Sequence, residues 1–289
     1  MSILVPLAKW YLSLMPVQLP SYYTHRKPLE RAQMEYADEC GQQGFHSFFK
    51  SFDLTAKDVL DFGCGFGGRT VRFKELGARS VTGIEVVADM LDESRAFAAS
   101  KGQADIMFVM AEGEHLPFRS ETFDAICSYD VFEHVADLKL CLEECYRVLR
   151  PGGVLYGVFP PFHHPTGGSH LHGYISRSPA PNVLFPCPVL VKAVDQLLEE
   201  RQQSYIPMAM RPNDPLWSVN GTTIRGFKRL RSIIPFRQKR IHLLPVISPG
   251  RAKWHQWRMK YWALPFSLAV RIPFLNEVLT DRIVIEFVR

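Results

Sequence analysis

The sequence Val59-Leu60-Asp61-Phe62-Gly63-Cys64-Gly65-Phe66-Gly67-Gly68-Arg69-Thr70 decides the fold. Its short apolar start predicts a buried strand, and the glycines that follow predict a tight turn. The next segment carries apolar residues at positions 71, 73 and 76, which predicts an amphipathic helix. Glycine lets the backbone close tightly and lie against a ligand, and a helix N-terminus offers free N–H groups to an anion. The stretch therefore predicts a strand, a ligand-binding turn and a helix.

Two carboxylates flank this turn. Asp61 lies two residues before the first glycine, and Glu85 ends the next predicted strand, about 20 residues on, where a carboxylate accepts ribose hydroxyls. Gly63, Gly65 and Gly68 also satisfy the dinucleotide spacing G-x-G-x-x-G. An NAD(P)-dependent oxidoreductase is therefore one interpretation. A carboxylate at the position of Asp61 repels a pyrophosphate and attracts an ammonium or sulfonium group, which favours a cationic ligand.

This combination resembles the class I S-adenosylmethionine-dependent methyltransferases of the small-molecule type. Residues 111–118, 123–135 and 147–153 carry the resemblance further, in an order and spacing that cover about a third of the chain. The family prefers Asp in the first of these blocks, where this chain has Glu112. The resemblance implies that S-adenosyl-L-methionine is the cofactor and that these residues bind it: Asp61, Gly63, Cys64, Gly65, Glu85, Val86, Glu112, Gly113 and Tyr129.

Predicted strands and helices alternate around the turn. The strands lie near 57–62, 80–85, 105–110, 123–129 and 153–159, followed by a sixth at 241–247 and a seventh at 282–288. The helices between the first five strands lie near 69–77, 87–101 and 137–149. We expect an α/β fold, a Rossmann-like three-layer sandwich with a mostly parallel seven-stranded sheet. The resemblance implies an antiparallel last strand, and the irregular residues after the fifth strand predict an inserted cap.

The expected organisation has three segments. Residues 1–52 form an N-terminal flap and helix over the cofactor cleft, residues 53–160 form the cofactor-binding core, and residues 161–289 form a substrate cap with the final strands. The apolar start of the chain lacks the basic opening and cleavage site of a signal peptide. It is interpreted as a flap, with an interfacial membrane contact as the alternative. Tyr22, Tyr23 and Tyr36 are positioned to contact the cofactor or to pack in the core.

Methyl transfer needs alignment of donor and acceptor, exclusion of water and, for a hydroxyl acceptor, removal of a proton. Histidine is the natural base at neutral pH, so His134, after the fourth strand, is the catalytic candidate, with a structural role as the alternative. Four histidines follow the fifth strand, beside the expected acceptor site. The substrate candidates are His163, His164, His170 and His172.

Two groups of residues have the chemistry of metal ligands. Asp130, Glu133 and His134 match positions at which the similar ubiquinone-pathway O-methyltransferases hold a divalent cation, but Asp130 replaces a longer acid. The histidine-rich loop lacks regular zinc-ligand spacing and a nearby cysteine. We therefore expect no metal. The six cysteines form no C-x-x-C pair and are interpreted as reduced thiols of a cytoplasmic protein.

The net charge of +5 hides an asymmetry. Residues 201–289 hold 16 Lys and Arg against 4 Asp and Glu, whereas residues 1–200 hold 18 against 25. The basic, tryptophan-rich C-terminal region is interpreted as a solvated cap, a peripheral membrane contact or an RNA-binding surface. The fourth strand lacks the Asn/Asp-Pro-Pro-Tyr ending of nucleobase amino methyltransferases, which disfavours nucleic acid.

The sequence thus predicts an S-adenosylmethionine-dependent methyltransferase that acts on a small or lipid-linked acceptor, at oxygen. The alternatives are an NAD(P)-dependent oxidoreductase and a non-catalytic binding or scaffold protein of the same fold.

Overall fold

The structure, a computed structural model, describes residues 3–16, 29–41, 44–164, 171, 175–178, 180–201, 219–245, 271–272 and 275–289. The strands are β1 (Asp58–Phe62), β2 (Ser80–Glu85), β3 (Met107–Met110), β4 (Phe123–Tyr129), β5 (Leu149–Phe159), β6 (Gln238–Pro245) and β7 (Thr280–Val288). The helices are α1 (Leu4–Ser13), α2 (Glu30–Cys40), α3 (Gly68–Glu75), α4 (Ala88–Ser100), α5 (Leu138–Val148), α6 (Pro181–Leu184), α7 (Cys187–Glu200), α8 (Ile224–Ile233) and α9 (Leu275–Leu279). A short 3-10 helix spans Phe45–Phe48.

The strands form one sheet in the order β3-β2-β1-β4-β5-β7-β6. β1 is parallel to β2 on one side and to β4 on the other, so its residue Asp61 pairs with Gly83 and with Cys127. β7 is antiparallel to its neighbour β5. The Gly152 N–H donates to the Arg289 carbonyl, and the Arg289 N–H donates to the Gly153 carbonyl, each with an N···O distance of 3.0 Å. The predicted fold is confirmed, including the antiparallel last strand.

The order of the sheet reverses at β1 and β4, and ligands of such sheets bind beyond the carboxyl ends of the strands there. The glycine turn follows β1 and therefore lies at this switch point. Cys127 on β4 and Val59 and Leu60 on β1 are fully buried, as expected for parallel strands that are covered on both faces.

Several predicted element limits were wrong. β5 begins at Leu149 and β6 spans Gln238–Pro245, because the pairing of backbone groups extends beyond the apolar runs that the sequence displays. The predicted helical segment 28–52 contains α2 and the separate 3-10 helix. α2 ends at Gly41, whose backbone is extended, with φ −77° and ψ 173°.

The chain divides into two compact units. The first comprises residues 1–25, 159–229 and 242–283, and the second comprises residues 26–158, 230–241 and 284–289. In the first unit, Val5, Ala8 and Leu12 of α1 join a buried apolar cluster with residues of α7. The predicted N-terminal segment, residues 1–52, is thus divided between the two units, and the predicted domain limits remain a prediction.

In the second unit, apolar residues of α2, α3 and α4 form a buried cluster on the sheet. Its members include Ala32, Cys64, Val71, Leu91, Phe97 and Phe108. This cluster fixes α2 against the element that begins at the glycine turn. Among the residues that the structure describes, no helix combines the length and the apolar character needed to cross a membrane.

Candidate cofactor site

The glycine turn adopts a backbone that side chains rarely allow. Gly63, Gly65 and Gly67 have φ values of +77°, +54° and +79°. A Cβ atom on Gly63 would lie 2.3 Å from a methyl carbon of Val131, so the turn closes directly against the segment that follows β4. Among the residues that the structure describes, a Cβ atom on Gly65 would meet the Glu35 carboxyl group, with Oε1 at 3.2 Å. The turn is therefore closed against Val131 at Gly63, and at Gly65 it lies beside the Glu35 carboxyl group.

Glu85 closes β2 beside this turn. Its Oε2 accepts a hydrogen bond from the Gly65 N–H over 3.2 Å, and its Oε1 accepts one from the Val86 N–H over 2.7 Å. Burial raises the pKa of Glu85, and the backbone N–H groups of Val86, Gly65 and Val87 oppose that rise. Because a carboxylate has about four acceptor positions, Glu85 keeps acceptor capacity for a ligand hydroxyl group. This is the chemistry that ribose recognition needs.

Asp61 lies beneath the turn. It is 1% exposed and accepts a hydrogen bond from the Thr70 hydroxyl over 2.6 Å. Burial raises its pKa to about 6, while the Arg69 charge and the Thr70 hydroxyl pull the pKa down. Asp61 thus ties the end of β1 to the first turn of α3 and adds negative charge to the site.

The sequence analysis missed two acidic residues of α2 at this site. Glu35 Oε2 accepts a hydrogen bond from the Gly68 N–H, at the start of α3, over 3.2 Å. Glu39 Oε1 lies 2.7 Å from the Arg69 Nε, and Glu39 Oε2 accepts a hydrogen bond from the Phe45 N–H over 2.7 Å. The two acids are four residues apart and hence on one helix face. That spacing was the available signal, but it does not reveal what the face contacts.

The other predicted cofactor residues surround the same strand ends. Cys64 is buried, which raises the pKa of its thiol, and the Tyr129 ring lies 4.3 Å from the Arg69 guanidinium carbon. A Cβ atom on Gly113 would lie 2.2 Å from the Phe62 ring, so residues 112–113 approach the end of β1. Glu112 is exposed and Val86 is half-buried. Their contacts with a cofactor remain predictions.

His134 lies in the turn after β4. Its backbone N–H donates a hydrogen bond to the Val131 carbonyl, with an N···O distance of 2.8 Å, and its ring Nε2 is 3.7 Å from Glu133 Oε1. Glu133 is 3% exposed. Within the described residues of the chain, no three His, Cys, Asp or Glu side chains are grouped so that they could hold a metal ion. The alternative metal set of Asp130, Glu133 and His134 therefore does not assemble here.

Two of the four substrate histidines fall within the described residues, and both belong to the first unit. The His163 Nδ1 is 2.8 Å from the Asn182 carbonyl oxygen. His164 is 3% exposed, and its Nε2 is 3.5 Å from Asp281 Oδ1. His170 and His172 lie outside the described residues, as do Tyr22, Tyr23 and the tryptophans of the C-terminal region. A role for the histidines in acceptor binding remains a prediction.

The strand order and the antiparallel β7 are those of the class I methyltransferase fold. An S-adenosylmethionine-dependent methyltransferase of known structure from Mesorhizobium loti has the same fold, with a TM-score of 0.53 and 16% identity over 85% of this chain and 95% of that one. This likeness shows the fold, and the glycine turn lies at its switch point.

The sequence comparisons agree at the level of the domain. Residues 60–157 match a family model described as a methyltransferase domain. A ubiquinone biosynthesis O-methyltransferase from Chelativorans sp. (strain BNC1) is 37% identical over 98 residues, which are 34% of this chain and 38% of the relative. Cycloartenol-C-24-methyltransferase 1 from Oryza sativa subsp. japonica is 35% identical over 113 residues, 37% of this chain and 32% of the relative.

Residues 60–157 thus match a methyltransferase domain, and the sheet that holds them has the class I methyltransferase fold. The matched segment runs from β1 into β5 and includes the glycine turn, Glu85 and His134. The chain spans well under half the length of these curated relatives. S-adenosylmethionine is the cofactor that this family implies, and the half-buried Glu85 carboxylate at the end of β2, beside Gly65, has the chemistry to bind its ribose.

Proposed function

We propose that this protein transfers a methyl group from S-adenosylmethionine to an oxygen atom of a small or lipid-linked acceptor. The observation that carries the proposal is the position of Glu85: at the end of β2, its carboxylate accepts a hydrogen bond from the Gly65 N–H of the glycine turn over 3.2 Å. An NAD(P) cofactor is disfavoured because the buried Asp61 carboxylate, beneath the glycine turn, opposes a pyrophosphate.

When bound, S-adenosylmethionine supplies an electrophilic methyl group on a positively charged sulfur. The acidic groups around the turn stabilise that charge, and Glu85 orients the ribose through its two carboxylate oxygens. No covalent intermediate with the protein is required. In this proposal Glu112 accepts a hydrogen bond from the adenine amino group, and Cys64, Val86, Gly113 and Tyr129 line the cofactor.

His134 is proposed as the residue that removes the acceptor proton. It follows β4, so it lies at the same edge of the sheet as the glycine turn, and Glu133, 3.7 Å away, stabilises the protonated imidazole. Oxygen as the acceptor atom is supported by the O-methyltransferase relative, whereas the cycloartenol relative methylates carbon 24 by its name. A base is needed for a hydroxyl acceptor, which agrees with a histidine at this position.

The lipid-linked alternative for the acceptor has support from the surface of α1. Ile3, Leu7 and Trp10 are 81%, 46% and 58% exposed, on the side of the helix opposite its buried residues. Residues 201–289 carry a net charge of +12, which favours anionic headgroups. We propose a peripheral membrane contact. Sedimentation with vesicles of neutral and of anionic lipid tests it: binding to the anionic vesicles alone is expected, and no binding to either contradicts it.

Labelling tests the reaction itself. Purified protein, S-adenosylmethionine with an isotopically labelled methyl group, and fractionated cell extract are incubated, and labelled products are identified by mass spectrometry. Label on an oxygen atom of a small or lipid molecule supports the proposal. Label on carbon or nitrogen corrects the acceptor atom, and the absence of any labelled product from every fraction, with donor bound, indicates a binding protein instead.

A further inference from the structure

We propose that Glu35 is a further cofactor-binding residue, whose carboxylate accepts a hydrogen bond from the α-ammonium group at the amino-acid end of S-adenosylmethionine. This inference rests on the proposed function, because it names a residue of the same site. It assigns the two ends of the cofactor to two carboxylates: Glu85 from β2 binds the ribose, and Glu35 from α2 binds the ammonium group.

The first observation is how closely α2 lies on the glycine turn. A Cβ atom on Gly68 would lie 2.2 Å from the Ala32 carbonyl oxygen and 2.6 Å from the Tyr36 nitrogen, both backbone atoms of α2. Ala32 is fully buried in the cluster that joins α2 to α3 and α4. Only a glycine allows this approach, and the contact holds the side chain of Glu35 over the turn.

The second observation is that the two oxygens of Glu35 have different contacts. Oε2 accepts a hydrogen bond from the Gly68 N–H, with an N···O distance of 3.2 Å. Oε1 would lie 3.2 Å from a Cβ atom on Gly65, and the N–H of the same glycine donates a hydrogen bond to Glu85. A ligand that lies along Gly65 and touches Glu85 therefore reaches Oε1 of Glu35. Because the carboxylate retains free acceptor positions, it can bind an ammonium group without losing Gly68.

The third observation is the charge around Glu35. The ionisable groups that face it come from every element packed on the turn: Arg69 of α3, Asp61 of β1 and Cys64 of the turn, with Glu39 on its own helix. Arg69 is engaged by Glu39 at 2.7 Å. Together with Glu85, the site thus carries four carboxylates against one guanidinium. S-adenosylmethionine carries an ammonium and a sulfonium group against one carboxylate, and this net positive charge complements the excess.

The protonation of Glu35 links this contact to pH. Burial raises the pKa of Glu35 to about 7, although Arg69 and the backbone N–H groups of Gly68 and Phe66 act in the opposite direction. A bound ammonium group stabilises the ionised carboxylate. Binding of the cofactor near pH 6.5 therefore releases a proton from Glu35, and affinity increases as the pH rises through about 7.

Two ligands and two variants test the inference by titration calorimetry at pH 8, where Glu35 is ionised. S-adenosylhomocysteine has the amino-acid end, and 5′-methylthioadenosine lacks it. Glu35→Gln keeps the shape and an acceptor for the Gly68 N–H, and Glu30→Gln removes an exposed charge from the same helix. We expect Glu35→Gln to lower the affinity for S-adenosylhomocysteine about tenfold, because one charge-assisted hydrogen bond is lost. The affinity for 5′-methylthioadenosine should stay within about twofold of that of the unaltered protein. Glu30→Gln should change neither.

The outcomes separate this inference from the proposed function. If the unaltered protein binds neither ligand, the proposed function fails. If it binds both but Glu35→Gln binds S-adenosylhomocysteine as tightly as before, only the role of Glu35 is overturned. An equal loss of affinity for both ligands also overturns the role of Glu35, since that pattern indicates a general displacement of α2. Proton release at pH 6.5, measured in buffers of different ionisation enthalpy, must be present in the unaltered protein and lost in Glu35→Gln.

Discussion

Arg69 Nε lies 2.7 Å from Glu39 Oε1, and this ion pair connects α2 to α3 directly beside the glycine turn. The side chains are 13% and 4% exposed. The guanidinium carbon of Arg69 also lies 4.3 Å from the centre of the Tyr129 ring. Arg69 therefore connects α2, α3 and the end of β4. The pair neutralises some of the acidic charge that the site needs for its ligand.

Arg69→Ala is expected to destabilise the protein by about 3 kcal/mol, because it leaves the buried Glu39 without its cation. The loss should be larger at pH 8 than at pH 5, since Glu35 and Asp61, whose pKa values are about 7 and about 6, are charged at the higher pH. Urea unfolding at both pH values measures it. Arg72→Ala is the control, because the Arg72–Glu75 pair is more exposed and should cost under about 0.5 kcal/mol. Equal effects of the two variants would contradict the role of Arg69.

Glu35→Gln is expected to change how stability depends on pH. Folding raises the pKa of Glu35 from 4.5 to about 7, so the native state binds more protons than the unfolded state between these values. The stabilisation from this group is complete below pH 4.5 and is lost as the pH rises through about 7. The unaltered protein should therefore lose on the order of 2 kcal/mol relative to Glu35→Gln between pH 5 and pH 8. Parallel stability curves for the two proteins would show that the pKa of Glu35 is not raised.

Gly68→Ala is expected to displace α2. Its added Cβ would overlap the backbone of Ala32 and Tyr36, which cannot rotate away. Amide hydrogen exchange of residues 30–40 should become at least about tenfold faster, the effect of about 1.4 kcal/mol or more of overpacking. Gly226→Ala is the matched control near the start of α8, where the nearest atom is a movable Thr223 hydroxyl at 3.2 Å. If α2 exchanges no faster in Gly68→Ala than in the control, its tight packing on the turn is refuted.

His134→Ala is expected to lower the methyl-transfer rate with little change in cofactor affinity. A general base contributes roughly 100-fold or more to rate, and the proposed role of His134 includes no contact with the cofactor. Single-turnover kinetics with an acceptor found by extract labelling measure the rate, and calorimetry measures the affinity. His163→Ala, a half-buried histidine of the first unit, is the comparison. An unchanged rate in His134→Ala would assign the His134–Glu133 pair a structural role.

The fold was predictable because its signals are local. β1 is a short apolar run that leads into Gly63, β2 ends in Glu85, β4 is followed by Asp130, and the turn after Phe62 requires glycines, which the sequence shows directly. Element limits were less predictable. The start of β5 carries Pro151, Gly152 and Gly153, which are typical of a turn, yet Gly152 and Gly153 pair with Arg289 at the far end of the chain.

The site was only partly predictable, for the same reason. Asp61 and Glu85 end neighbouring strands, so their proximity follows from the alternation of strands and helices. Glu35 and Glu39 lie on α2, which precedes β1 in the chain. No pattern in the nearby sequence predicts that this helix packs on Gly68. Their role depends on a tertiary contact between segments about 30 residues apart, which periodicity in the sequence does not supply.

The most direct test of the account is the affinity of the purified protein for S-adenosylhomocysteine, measured by calorimetry for the unaltered chain and for Glu85→Ala. Asp89→Asn, an exposed acid in the first turn of α4, controls for charge. The account predicts that the unaltered protein and Asp89→Asn bind the ligand alike and that Glu85→Ala binds at least about tenfold more weakly, with the loss of its ribose hydrogen bonds. Equal affinity in all three proteins would contradict it.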